Sequence, residues 1–258
     1  MTRPFTYLSL FSGIGGLDLG LDRAGMTCVG QVELDDLNRS VLDRHWPEVP
    51  KHDDVRTAVP WWTARPRPAV RLVAGGYPCQ PFARSGRRRG TADERWGWPW
   101  FRAVVRAVRP DYVLVENVAA LLDDADAFGW MLGDLAADGF DADWTVLPAC
   151  AVGAPHTRER LFLVAYPSGE LRQARLAKER RQGGQGPLRP AGDGQHAWRR
   201  PDVWVEAARR PDRVVDGLAA ELVAAGGNAV VPQVAEHVGR LILAHAGWTP
   251  AVDEPAAA

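Results

Sequence analysis

The chain has 258 residues, 46% of them hydrophobic and 24% charged, with a formal net charge of −1. That length suits one large domain, or a domain with a small lobe. The near-neutral balance excludes a globally basic nucleic-acid binder but leaves local patches open. Cys28, Cys79 and Cys150 are far apart and form no CxxC pair, which argues against a disulfide framework or a zinc site and for a reducing cytosol. There is no charged-then-apolar leader and no apolar run approaching about 18 residues. The expectation is a soluble, cytoplasmic protein with no membrane partner and no bound metal.

Residues 7–11 read as a first buried strand. Ser12-Gly13-Ile14-Gly15-Gly16 follows, then apolar residues at helical spacing over 17–24, stopped by Gly25. A strand, a glycine turn and a helix let backbone N–H groups approach a nucleotide-like ligand. Residues 27–32 read as a second strand ending at Glu33, an acid placed about 20 residues past the loop, as a ribose-binding acid is. This constellation suits NAD or S-adenosylmethionine equally, or a tight turn with a solvated acid. Residues 36–45 look helical. Asp53 and Asp54 then mark either a third strand end or a solvated turn, and 61–68, rich in Pro and Trp, read as a loop.

A short apolar strand over 70–74 runs into Gly75-Gly76-Tyr77-Pro78-Cys79-Gln80-Pro81-Phe82. Two glycines end the strand, and two prolines restrict the chain around Cys79. Arg84, Arg87, Arg88 and Arg89 lie close in sequence, and nearby cations favour the nucleophilic thiolate. The loop alone leaves Cys79 as either a nucleophile or a small buried hydrophobe. Residues 83–96 read as an Arg-rich loop, 98–108 as a helix, and 111–115 as a strand ending at Glu116-Asn117-Val118. A helix over 128–137 and strands over 142–147 and 160–165 follow. From 168 to 213 there are ten Arg and one Lys against six acids, with Trp198 and Trp204 interleaved. That segment reads as a nucleic-acid patch or a surface insertion. Pro232 opens a last helix, to about residue 244.

Taken in order, these stretches resemble the cytosine-C5 DNA methyltransferases. Phe11-Ser12-Gly13-Ile14-Gly15-Gly16 is similar to the family's first cofactor motif. Tyr77-Pro78-Cys79-Gln80-Pro81-Phe82 resembles its Pro-Cys loop, and Glu116-Asn117-Val118 its Glu-Asn-Val motif. His156-Thr157-Arg158-Glu159-Arg160 resembles Gln-x-Arg-x-Arg, with His156 in place of Gln. Gly227-Asn228-Ala229-Val230-Val231-Pro232 resembles the last motif, which returns to the cofactor pocket. Ala83 stands where many members carry Ser, and the segment between 167 and 217 is short for a target-recognition region.

The resemblance implies an α/β, Rossmann-like methyltransferase fold with a reduced recognition region. Residues 1–166 would form the catalytic domain, 167–217 the recognition region, 218–250 the returning helices and 251–258 a tail. The implied cofactor is S-adenosylmethionine, leaving as S-adenosylhomocysteine. Its implied binding residues are Phe11, Ser12, Gly13, Ile14, Gly15, Gly16, Glu33, Asp54, Pro78, Asn228 and Val230. Cys79, Glu116, Arg158 and Arg160 would carry the chemistry, while Gln80, Arg84, Ser85 and Arg87 would touch DNA. Double-stranded DNA is the implied partner of a monomer, with a cognate restriction endonuclease as a candidate second partner. Competing readings are a tRNA cytosine-C5 methyltransferase, a silent methyltransferase-like DNA-binding protein and a nicotinamide oxidoreductase. The last accounts for Glu33 but not for Cys79 or Glu116-Asn117.

Overall fold

The computed structural model describes residues 4–78, 96–153, 157–169 and 229–248. Its strands are β1 (Thr6–Leu10), β2 (Thr27–Val32), β3 (Lys51–His52), β4 (Leu72–Gly75), β5 (Tyr112–Val118), β6 (Phe140–Pro148) and β7 (Glu159–Pro167). Its α-helices are α1 (Gly16–Arg23), α2 (Asp36–His45), α3 (Ala58–Thr63), α4 (Trp98–Val108), α5 (Ala125–Ala137) and α6 (Pro232–His245). The strands form one sheet in the order β3–β2–β1–β4–β5–β7–β6. Strands β1 to β5 pair in parallel, and β7 runs antiparallel between β5 and β6. This is the Rossmann-like α/β fold that the sequence implies.

The central strands are apolar on both faces because helices cover both. Alternation along each strand sorts the side chains. Val113 and Val115 of β5 face one way with Leu8, Leu10 and Val73, against Trp62, Trp98, Phe101 and Met131 from α3, α4 and α5. Tyr112 and Leu114 face the other way with Tyr7, Leu72 and Ala74, against Leu17 and Leu21 of α1 and Val234, Val238 and Ile242 of α6. Helix α6 comes from the far end of the chain and seats directly on α1. A Cβ at Gly20 would lie 2.4 Å from both the Ala235 Cβ and the Pro232 carbonyl oxygen, so only glycine permits this approach.

Three local readings change. Within the expected loop at 61–68, Trp61 and Trp62 belong to α3. Pro60 is tolerated there because it stands in the first turn, where no N–H partner is needed. Strand β5 continues through Val118, since β7 pairs with it as far as Val118 opposite Arg160. Helix α5 begins at Ala125, earlier than the pattern suggests, because the Asp124 side chain accepts from the Ala127 N–H.

Candidate active site

In an open parallel sheet the loops at the carboxyl ends of the strands gather on one edge, and a crevice opens where the strand order reverses. Here the chain leaves β1 for β2 on one side and returns to β4 on the other. The loops after β1 and β4 therefore diverge, and a cavity of about 940 Å³ lies there. It is lined by Phe11 and Gly13 after β1, Glu33 after β2, Asp54 after β3, and Gly76, Tyr77 and Pro78 after β4. Glu116 and Asn117 at the end of β5 line it too. Arg160 joins them because β7 is antiparallel and begins at this same edge.

The glycine loop is bent tightly. Phe11 and Gly13 have φ of 55° and 56°, and Gly15 has φ of 85°. For Phe11 this left-handed conformation costs about 1–3 kcal/mol and persists only where the surroundings fix it. Part of that fixing is visible. The Ser12 N–H donates to the Val32 carbonyl at 3.1 Å, and the Gly13 N–H donates to Glu33 Oε2 at 2.7 Å. Glu33 Oε1 accepts from the Asp35 N–H at 2.9 Å and Asn38 Nδ2 at 3.3 Å. Loop and acid are thus one unit. Asp54 is gripped by the Arg56 guanidinium, with Nε 2.9 Å from each carboxylate oxygen. That contact holds the Asp54 carboxyl below its ordinary value.

Glu116 is set differently. It is 7% exposed, and burial pushes its carboxyl up to about 7, against the opposing pull of Arg160 and Arg158. Arg160 Nε lies 3.1 Å from Glu116 Oε1, close enough for an ion pair. That oxygen nonetheless has no aligned hydrogen-bond donor. The pair follows from register: Arg160 stands opposite Val118, one diagonal step from Glu116 on the same face. Gly76 leaves room for the carboxyl, since a Cβ there would be 2.5 Å from Glu116 Oε2. Next to it, buried Asn117 donates from Nδ2 to the Tyr77 carbonyl at 3.2 Å, two residues before Cys79.

The structure brings Phe11, Gly13, Glu33, Asp54, Pro78, Glu116 and Arg160 to one cavity. Ser12 and Val230 line a small adjoining pocket that also touches Gly13 and Glu116. Ile14, Gly15, Gly16 and Arg158 instead line a separate cavity of about 470 Å³ beside Trp46 and Val230. Cys79, Gln80, Arg84, Ser85, Arg87, His156 and Asn228, and the basic segment beyond Gly169, lie outside the described residues. Sequence reasoning passed over Ser9, Asp18 and Gln31, which form a buried polar cluster under the glycine loop. A polar residue inside an apolar strand or on the inner face of a helix was the available signal.

Five acidic residues line the larger cavity, Glu33, Asp35, Asp36, Asp54 and Glu116, while Leu34 and Leu37 present exposed apolar side chains at its rim and a Cβ at Gly13 would meet nothing within 4 Å. Among the described residues no cluster of His, Cys, Asp and Glu could hold a metal ion, and no helix is long and apolar enough to cross a membrane.

Over 166 residues the chain is 31% identical to the type II methyltransferase M.HgiCII of Herpetosiphon aurantiacus, covering 63% of this chain and 37% of that one. Over 165 residues it is 32% identical to M2.BsuMI of Bacillus subtilis, covering 61% and 41%. The chain thus spans well under half the length of these curated relatives. The fold is shared with the Entamoeba histolytica methyltransferase EhMeth, at TM-score 0.54 and 16% identity over 64% of this chain and 53% of that one. It is shared also with Dnmt2 of S. pombe, at TM-score 0.51 and 23% identity over 63% and 51%. A family model for C-5 cytosine-specific DNA methylases matches residues 5–185, and with more than half of its length so matched the chain belongs to that family.

Proposed function

We propose that this protein is a DNA (cytosine-5-)-methyltransferase of the cytoplasm that acts on a cytosine flipped out of duplex DNA. One observation carries the reading: a single cavity is lined both by Glu33 and Asp54 and by the buried Glu116–Arg160 pair. The first two acids suit a ribose and an adenine amino group. Phe11, Gly13, Glu33, Asp54 and Pro78 would hold S-adenosylmethionine, with Ser12, Val230 and Asn228 closing the pocket. When bound, this cofactor supplies an electrophilic methyl group.

The chain's own residues do the rest. Cytosine C5 is a poor nucleophile inside a stacked duplex, so the base must leave the stack. The Cys79 thiolate adds to C6, and the ring must accept an electron pair as that bond forms. Glu116, whose carboxyl burial pushes up to about 7, can carry a proton near neutral pH and give it to N3. Arg160 faces the base beside it and stabilises the charge that develops at O2. Asn117 fixes the backbone two residues before the nucleophile. After methylation C5 loses its proton, Cys79 leaves as thiolate and N3 returns its proton to Glu116, restoring the neutral aromatic ring. The covalent route divides one difficult step into easier ones. Residues 1–166 with 218–250 form the catalytic body in this reading, and the basic stretch within 167–217 meets the DNA backbone.

Transfer of radiolabelled methyl groups from S-adenosylmethionine to duplex DNA, with tRNA and substrate-free controls, tests the proposal. Label in DNA cytosine is the expected result. Label confined to tRNA would move the substrate class. No label on either, from a protein that binds the cofactor, would leave a silent homologue.

A further inference from the structure

Under the glycine loop lies a carboxylate that the mechanism does not use. Asp18 sits in the first turn of α1 and is fully buried. Ser9 of β1 and Gln31 of β2 are register partners, and both are fully buried. Ser9 Oγ donates to Asp18 Oδ2 at 3.0 Å, and Gln31 Nε2 donates to Asp18 Oδ1 at 2.9 Å. Cys28 Sγ approaches Oδ1 at 3.8 Å. Every partner of the carboxylate is a donor, which is the arrangement an ionised acid requires. The chain of donors continues outward, since Ser12 Oγ donates to Ser9 Oγ at 2.9 Å. Ser12 stands between strained Phe11 and Gly13, whose N–H is bound by Glu33.

We propose that Asp18 is a positioning residue of the cofactor site: acting through Ser9 and Ser12, its buried carboxylate holds the glycine loop in the bent form that presents Gly13 and Glu33 to the cofactor. The inference rests on the cofactor reading above. Two donors, Ser9 Oγ and Gln31 Nε2, anchor the buried acid, and leaving either unpaired costs more than the bond itself contributes, whereas the single Cys28 S–H also has the Gly30 carbonyl within 3.5 Å. The first turn of a helix also favours negative charge. Burial nevertheless raises the Asp18 carboxyl to about 6, so mild acid would put a proton on it and weaken the anchor. The other titratable groups set around it are Tyr7 from β1, Cys28 from β2 and Asp22 from the next turn of α1. Helix α6, where it meets Gly20, brings Ala235 and backbone atoms.

The test is calorimetric affinity of the full chain for S-adenosylmethionine, with folding checked by circular dichroism. Asp18→Asn should weaken binding roughly tenfold, the scale of one charge-assisted hydrogen bond. Ser9→Ala keeps the acid but cuts the link, and should weaken binding by a similar factor. Adding Asp18→Asn to Ser9→Ala should then cost little more, because both act on one chain of bonds. Wild-type affinity should fall as pH drops through about 6, and Asp18→Asn should lack that limb. If Asp18→Asn does not fold, Ser9→Ala alone decides. Glu33→Ala separates the two levels of argument. Should Glu33→Ala leave binding unchanged, the cofactor reading itself fails. Should Glu33→Ala weaken binding while Ser9→Ala and any folded Asp18→Asn bind like wild type, this inference is overturned.

Discussion

Glu33 and Glu116 line the same cavity, yet the protein treats the two carboxyl groups differently. Glu33 accepts from two backbone N–H groups and the Asn38 amide, so its charge is solvated by the fold. Glu116 is buried, feels the pull of the Arg160 and Arg158 guanidinium groups and keeps an oxygen without an aligned donor. The first region is a finished cradle, in which loop, acid and helix share one hydrogen-bond network. In the second, burial pushes the carboxyl up to about 7. Binding needs fixed acceptors, whereas proton donation needs a group whose charge is expensive. In the proposed function, affinity falls to the β1–β2 side and chemistry to the β5–β7 side.

That division can be broken most sharply at Glu116. Glu116→Gln should lower methyl transfer by roughly 10²–10⁴-fold, the range of a lost general acid, while cofactor affinity holds. A parallel loss of affinity would mean that the two regions are not separable. Gly76→Ala acts on the same group through space. Its Cβ would press on Glu116 Oε2, and displacing the carboxyl by about 1 Å should reduce turnover by up to roughly 10²-fold. On the other side, Glu33→Ala should weaken cofactor binding by about 1–3 kcal/mol, measured by calorimetry.

The smallest effect concerns pH and stability. The folded-state value of Glu116, about 7, lies above its ordinary 4.5. Its stabilising contribution is therefore complete below 4.5 and is lost as pH rises through about 7. Melting curves of wild type and Glu116→Gln should separate progressively between pH 5 and pH 8, with the wild type losing more. Parallel curves across that window would contradict a raised value for Glu116.

Much of the fold was legible because it is written locally. The apolar runs of β1, β2 and β5 and the periodicity of α2 and α4 each depend on neighbours in sequence. Helix α3 escaped because Trp61 and Trp62 run on towards Pro66 and Pro68, so the whole Pro- and Trp-rich stretch reads as a loop although the helix ends at Thr63. The Glu116–Arg160 pair was legible only as two motifs. Its geometry depends on β7 being inserted antiparallel beside β5, and connection order across a sheet is not a local property. The Ser12–Ser9–Asp18–Gln31 chain was missed for the same reason. Its members come from two strands, a loop and a helix, and each looks like an ordinary polar residue on its own.

Covalent catalysis through Cys79 is the step we propose on which the enzyme reading stands, and duplex DNA carrying 5-fluorocytosine tests it most directly. Fluorine at C5 cannot leave as a cation, so elimination stalls after methyl transfer and the enzyme stays attached to the base. Wild-type protein with S-adenosylmethionine should give a denaturation-resistant protein–DNA adduct that maps to Cys79. Cys79→Ser should give none while still binding the cofactor. A wild type that methylates ordinary cytosine but forms no adduct on the fluorinated base, or a Cys79→Ser protein that traps as well as the wild type, would contradict the account.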